Sequence, residues 1–123
     1  MLHLQCHFGK DTLVLAQRGA EASGLDFSAN AVEAARKLAA EQGLVTCLVL
    51  ADLYDAPAAI PEPASFDRFV TWGTICWLPD VTRWAQIAAH FLRQGGALYF
   101  ADAHPASYVF DDMAGMNAQR RMR

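Results

Sequence analysis

Two carboxylates stand where the chain could read a nucleoside. Asp26 closes the segment 20–26, and Asp52 follows the apolar run 45–51, so each acid sits at the end of a strand-like stretch. A carboxylate has about four acceptor positions, enough for Asp26 to take both hydroxyl hydrogens of a ribose while Asp52 receives the exocyclic amine of an adenine. The third candidate is the loop from Gln5 to Gly9, which lies 17 residues before Asp26 at its glycine end and follows Leu2 and Leu4. A dinucleotide pyrophosphate needs several glycines so that backbone amides can approach it, whereas Cys6, His7 and Phe8 all carry side chains. A nucleoside bearing an amino acid through sulfur needs no phosphate cradle and tolerates this bulkier loop.

Other residues could do chemistry, and each has a plainer reading. His104 follows the last strand-like segment; an imidazole titrates near neutral pH and could remove a proton from an acceptor, although a histidine before Pro105 also suits an exposed loop. His3, Cys6 and His7 offer nitrogen and sulfur ligands without a fourth of matching spacing, so no metal site is assigned. Asp26 and Asp52 could cap helices or close turns. Trp84 falls on an apolar helical stripe and reads as core, Trp72 and Trp77 are open between acceptor wall and packing, and Cys6 and Cys76 read as packing residues.

The elements that must position these groups alternate in type. Leu2 and Leu4 begin a buried strand, and helical spacing starts after Gly9 with Leu13, Val14 and Ala16, ending at Gly19. Segment 20–26 is strand two. A helix runs from the cap Ser28 through Ala31, Val32, Ala35, Leu38 and Ala39 to Gly43. Segment 45–51 is strand three, and Pro57, Pro61 and Pro63 restrict the next crossover to a single turn or an irregular loop. Segment 66–72 is strand four, Asp80 caps a helix that stops at Gly95-Gly96, and 97–101 is strand five. This alternation predicts an α/β fold: a Rossmann-like open sheet, mostly parallel, in the order 3-2-1-4-5 with crossover helices on both faces.

Composition narrows the partners. A chain of 123 residues that is 54% hydrophobic supports one core and one domain. A formal net charge of −3 and a pI near 5.7 argue against a nucleic-acid surface, despite the basic tail Arg120, Arg121 and Arg123. No apolar run has the length of a membrane span and no signal-peptide order opens the chain, so no membrane partner is expected and the cytoplasm is the default. Three cysteines without paired spacing suit a reducing compartment.

At these residues the sequence resembles the class I S-adenosylmethionine-dependent methyltransferases, in the branch whose first motif reads Leu-His-Leu-Gln-Cys-His-Phe-Gly, here Leu2 to Gly9. The likeness continues through Gly24-Leu25-Asp26-Phe27-Ser28, Ala51-Asp52-Leu53-Tyr54, Trp77-Leu78-Pro79-Asp80 and Leu92-Arg93-Gln94-Gly95-Gly96. It implies S-adenosyl-L-methionine across the ends of strands one to three, with Asp26 at the ribose, Asp52 on the adenine side, and Gln5, His7 and Gly9 along the methionine and ribose. Phe27, Ser28 and Leu53 flank the two acids within these motifs. The wider superfamily's first-motif acid is His3 here, and two of its usual glycines are Gln5 and His7. The implied reaction is in-line methyl transfer to a small-molecule acceptor, in which positioning can supply about 7–11 kcal/mol.

Members of the branch extend further at both ends, so the resemblance implies an incomplete methyltransferase core over 1–112 with a polar tail over 113–123. Tyr108-Val109-Phe110-Asp111-Asp112 resembles the family's continuation. An apolar strand five would then be a free edge prone to self-association. Two alternatives stand beside this reading: a non-catalytic cofactor-binding remnant, and a nicotinamide-dependent oxidoreductase fragment, against which the single glycine of the first loop speaks.

Overall fold

A computed structural model describes residues 1–104 and Ala106. The reading of 108–112 and of the tail 113–123 lies outside the described residues. Strand β1 (Leu2–Leu4) ends where Gln5 adopts φ 58°, a left-handed backbone that cannot continue a strand. Helix α1 (Lys10–Gln17) starts after Gly9 at φ 67°. Strand β2 (Ser23–Asp26) leads to helix α2 (Ala29–Glu41), and Ser28 caps it by accepting a hydrogen bond from the Ala31 amide.

Both helices stop by the same device. Beyond α1, the Gly19 and Ala20 amides donate to Ala16 and Leu15 carbonyls; beyond α2, the Gly43 and Leu44 amides donate to Ala40 and Ala39. These paired bonds satisfy carbonyls that would otherwise be orphaned, and the left-handed residue they require is glycine each time, at φ 93° and 65°.

Strand β3 (Cys47–Leu50) is followed by a 3-10 turn, Leu53–Asp55, and the one-turn helix α3 (Ala56–Ala59), with Pro57 in its first turn where a missing amide costs nothing. Strand β4 (Phe66–Trp72) has the bounds expected of it. Helix α4 (Val81–Phe91) is capped by Asp80, whose side chain accepts from the Arg83 amide at 2.8 Å. It ends before the expected glycine pair: Leu92 turns extended at φ −77°, ψ 124°, and β5 spans Leu92–Ala101. Within β5 the pairing with β4 slips. Phe66 pairs with Leu92 and Arg68 with Ala97, so β5 takes five steps where β4 takes two. Gly95, at φ 77°, accommodates the excess.

The five strands form one sheet in the order β3-β2-β1-β4-β5, every neighbouring pair parallel. Alternation along the central strands divides the core between the two faces. Leu2, Leu4, Leu25 and Phe69 pack with Leu53, Ala56, Ile60 and the α4 stripe Trp84, Ile87, Ala88 and Phe91. Cys6, Leu13, Val32, Ala35, Ala39 and Leu48 form the core of the opposite face, against α1 and α2. Burying each large apolar side chain contributes about 1.5–3 kcal/mol, which holds the carboxyl ends of β1 to β4 in register. Among the described residues, no helix is long and apolar enough to cross a membrane.

Candidate functional site

The sheet order reverses between β1 and β4, and the crevice outside the carboxyl ends of strands at such a point is where open α/β sheets bind ligands. Asp26 organises it. Its side chain is buried, Oδ2 accepts the His7 amide hydrogen at 2.8 Å, and Oδ1 accepts the Ser28 amide hydrogen at 2.9 Å. One carboxylate thus ties the first loop to the turn that opens α2. Each oxygen retains acceptor capacity beyond its amide partner, so the group can hold the loop and still receive hydroxyl hydrogens.

The first loop is strained. Gln5 and His7 adopt φ 58° and 50°, and Gly9 φ 67°. A left-handed backbone costs a side-chain-bearing residue about 1–2 kcal/mol, and such conformations persist where their surroundings over-determine them, often at binding sites. The surroundings here are the Asp26–His7 contact, the Cys6 amide donating to Leu25 carbonyl at 3.0 Å, and the Gly9 amide donating to Cys6 carbonyl at 2.8 Å. Gly9 also brings the loop against α2, where an added Cβ would lie 2.9 Å from the Ala35 Cβ.

Gln5 Oε1 is buried without a hydrogen-bond partner. An unsatisfied buried acceptor costs about 1–3 kcal/mol, and an ammonium group would satisfy it. The acids, the orphaned amide oxygen and the glycine-poor loop together fit an amino-acid-bearing nucleoside. The remaining candidate residues are placed differently. Asp52 is exposed, and its Oδ1 accepts the Tyr54 amide hydrogen at 2.8 Å. Phe27 is 74% exposed, Leu53 packs its side chain into the core and keeps only backbone for a ligand, and His7 lies exposed with its ring edge-on to Phe8. His104 follows β5, two strands from β1, and is exposed with Nδ1 accepting the Ala106 amide hydrogen at 3.2 Å.

Burial fixes two nearby titratable groups in neutral form. The Cys6 thiol is pushed up to about 12 by desolvation, with the Asp26 charge adding to the effect, which makes it the packing residue expected. Cys76, by contrast, is exposed and does not pack. His3 is lowered to about 4 by burial, against the opposing pull of Asp11 and Asp26. Its Nδ1 lies 2.8 Å from Thr12 Oγ1, and its ring stands 4.6 Å from that of Trp72.

Three side-chain roles escape sequence reasoning because they join distant segments. Trp72 Nε1 donates to Asp11 Oδ2 at 3.1 Å; Thr12 engages His3; and Asp102 Oδ2 accepts the Ile75 amide hydrogen at 2.7 Å, tying the ends of β4 and β5 together. The one sequence signal for them was a polar residue, His3, inside an apolar strand. Among the described residues, no three His, Cys, Asp or Glu side chains are grouped to hold a metal ion. A broad groove of about 1210 Å³ lies at the opposite, amino end of the sheet, between residues such as Glu21, Thr46, Arg68 and Arg93. It is remote from the acids, and open α/β sheets bind their ligands outside the carboxyl ends of the strands.

Comparison with curated proteins returned no match. Among solved structures, the chain is similar to a protein described for the conversion of a disulfide bond into a thioacetal group during echinomycin biosynthesis, at 27% identity and TM-score 0.70 over 80% of this chain and 42% of that one. It is similar to a putative S-adenosyl-L-methionine-dependent methyltransferase from Methanococcus maripaludis, at 24% identity and TM-score 0.73, covering 83% of this chain and 47% of that one. A protein from Pyrococcus horikoshii shares 18% identity and TM-score 0.79 over 88% of this chain and 50% of its own. The chain therefore spans half or less of the length of these neighbours. With a family model described as a methyltransferase domain matching residues 2–100, across all five strands and the strained loop, the chain belongs to the methyltransferase-domain family.

Proposed function

We propose that this chain carries the cofactor half of an enzyme that transfers a methyl group from S-adenosylmethionine to a small-molecule acceptor by in-line displacement. The observation that carries this reading is the buried Asp26 carboxylate, bonded at once to the first loop and the α2 turn beside the orphaned Gln5 oxygen. When bound, the cofactor supplies an activated methyl on a sulfonium; the chain's residues bind and orient. Asp26 accepts the ribose hydroxyl hydrogens and Asp52 the adenine amine, with Phe27, Ser28 and the Leu53 backbone beside them. Gln5 accepts from the amino-acid ammonium, and His7 and Gly9 present loop backbone.

Where an acceptor must lose a proton, we assign that role to His104, on the β5 side of the crevice. Positioning provides most of the rate, since a methyl transfer to a ready nucleophile needs no dedicated base. The test is calorimetric titration of the whole chain with S-adenosylhomocysteine, with a nicotinamide dinucleotide as control. Saturable binding of the sulfur nucleoside alone is expected. Binding of the dinucleotide instead, or of neither ligand by a folded chain, would overturn the reading.

A further inference from the structure

Trp72 is the last residue of β4, and two residues before it Val70 pairs with His3 of β1. The same two steps along β1 arrive at Gln5, so Trp72 and the strained loop leave the sheet side by side at the point where strand order reverses. The indole is held from three directions: its Nε1–H donates to Asp11 Oδ2 at 3.1 Å, its ring lies 4.6 Å from that of His3, and Tyr99 meets it edge-on at 6.2 Å. His3 is itself buried and held by Thr12. An aromatic side chain held by a buried histidine, a carboxylate and a second ring has little freedom to turn, and it remains only partly covered.

The electrostatics of the stack suit one kind of ligand. The face of an indole carries negative charge density, and it attracts a cation placed over it, the more strongly the more that cation is desolvated. Asp11 accepts from the indole N–H, which adds to that density. Burial holds His3 at about 4, so near neutral pH no positive charge sits behind the ring to repel a cation in front of it.

We infer that Trp72 is a specificity-determining wall of the methyl-donor site, whose fixed indole favours the sulfonium form of the donor over the neutral thioether product. This rests on the functional reading above. With the nucleoside read by acids after β2 and β3 and the amino acid received by Gln5 after β1, the sulfur between them has β4 as its remaining neighbour in the strand order. Asp11 and His3 are positioning residues that act through Trp72.

The experiment compares dissociation constants of S-adenosylmethionine and S-adenosylhomocysteine, by calorimetry on the whole chain, for the parent protein, Trp72→Phe and Trp72→Leu. The expected result is that Trp72→Leu moves the ratio of the two constants toward the thioether by about tenfold, while Trp72→Phe, which keeps a ring face, moves it less than about threefold. Uniform labelling with fluorinated tryptophan serves if Trp72→Leu does not fold: sulfonium affinity falls and thioether affinity holds, and the effect vanishes in a Trp72→Phe background. Equal weakening of both ligands, or none, overturns the inference and leaves the functional reading intact. Failure of the parent chain to bind either ligand overturns both.

Discussion

Asp26 ties two segments with one carboxylate, and the ribose contact proposed for the same group complicates a simple mutational reading. Asp26→Ala removes an acceptor for ligand and also frees the His7 and Ser28 amides. The expected loss of cofactor affinity is about 1.5–3 kcal/mol, measured by calorimetry, with a drop in melting temperature alongside it. Unchanged affinity in a folded variant would remove Asp26 from the site. His3 makes a separate prediction. Its pKa lies near 4 in the folded chain against the ordinary 6.5 of an exposed imidazole, so below pH 6.5 the unfolded state takes up a proton that the folded state refuses. Stability from this group is complete above pH 6.5, declines as pH falls, and is lost near pH 4, on the order of 3 kcal/mol in all. His3→Gln cannot titrate and should show a flatter decline in urea denaturation between pH 7 and pH 4. Equal slopes would place the acid sensitivity elsewhere.

At the scale of elements, the first loop trades stability for its shape. Gly9→Ala meets both a left-handed backbone and the Ala35 Cβ, and should destabilise the chain by at least about 2 kcal/mol in denaturant titration. Gln5→Gly should do the reverse. It relieves the backbone and removes the unsatisfied oxygen, raising stability by up to about 1 kcal/mol net of glycine's larger unfolded-state entropy, while cofactor affinity falls. A stabilised variant with undiminished affinity would show that the orphaned oxygen receives nothing from the ligand.

Local signals made many of these elements legible. The caps Ser28 and Asp80, the bounds of β4 and the proline-limited crossover after β3 all depend on residues near in sequence. The end of α4 was not legible in this way. Leu92 continues the apolar stripe and Gly95-Gly96 is a strong stop, yet pairing with Phe66 draws Leu92 into the sheet. The site divided similarly: acids at strand ends announced themselves, but the contacts of Trp72 with Asp11 and of Asp102 with Ile75 span 61 and 27 residues and leave no periodic trace.

At the scale of the whole molecule, β5 is the outer strand among the described residues, with Leu98 and Phe100 each 45% exposed and Tyr99 61% exposed. Among the described residues no strand pairs with its outer side. Such an edge favours pairing with a second copy, so sedimentation velocity should show mass rising with concentration, and Leu98→Lys should suppress it. A concentration-independent monomer would show that the edge is otherwise protected.

The slip at the start of β5 bears on a different property. The excess steps fall between Leu92 and Ala97, and from Arg68 and Ala97 onward the pairs run in step to Trp72 and Ala101. Length change at the entrance of this strand is therefore absorbed before it reaches the crevice. Residues 93–96 form a natural point of indel tolerance, where a short peptide could be grafted while Trp72, Tyr99 and Asp102 keep their places.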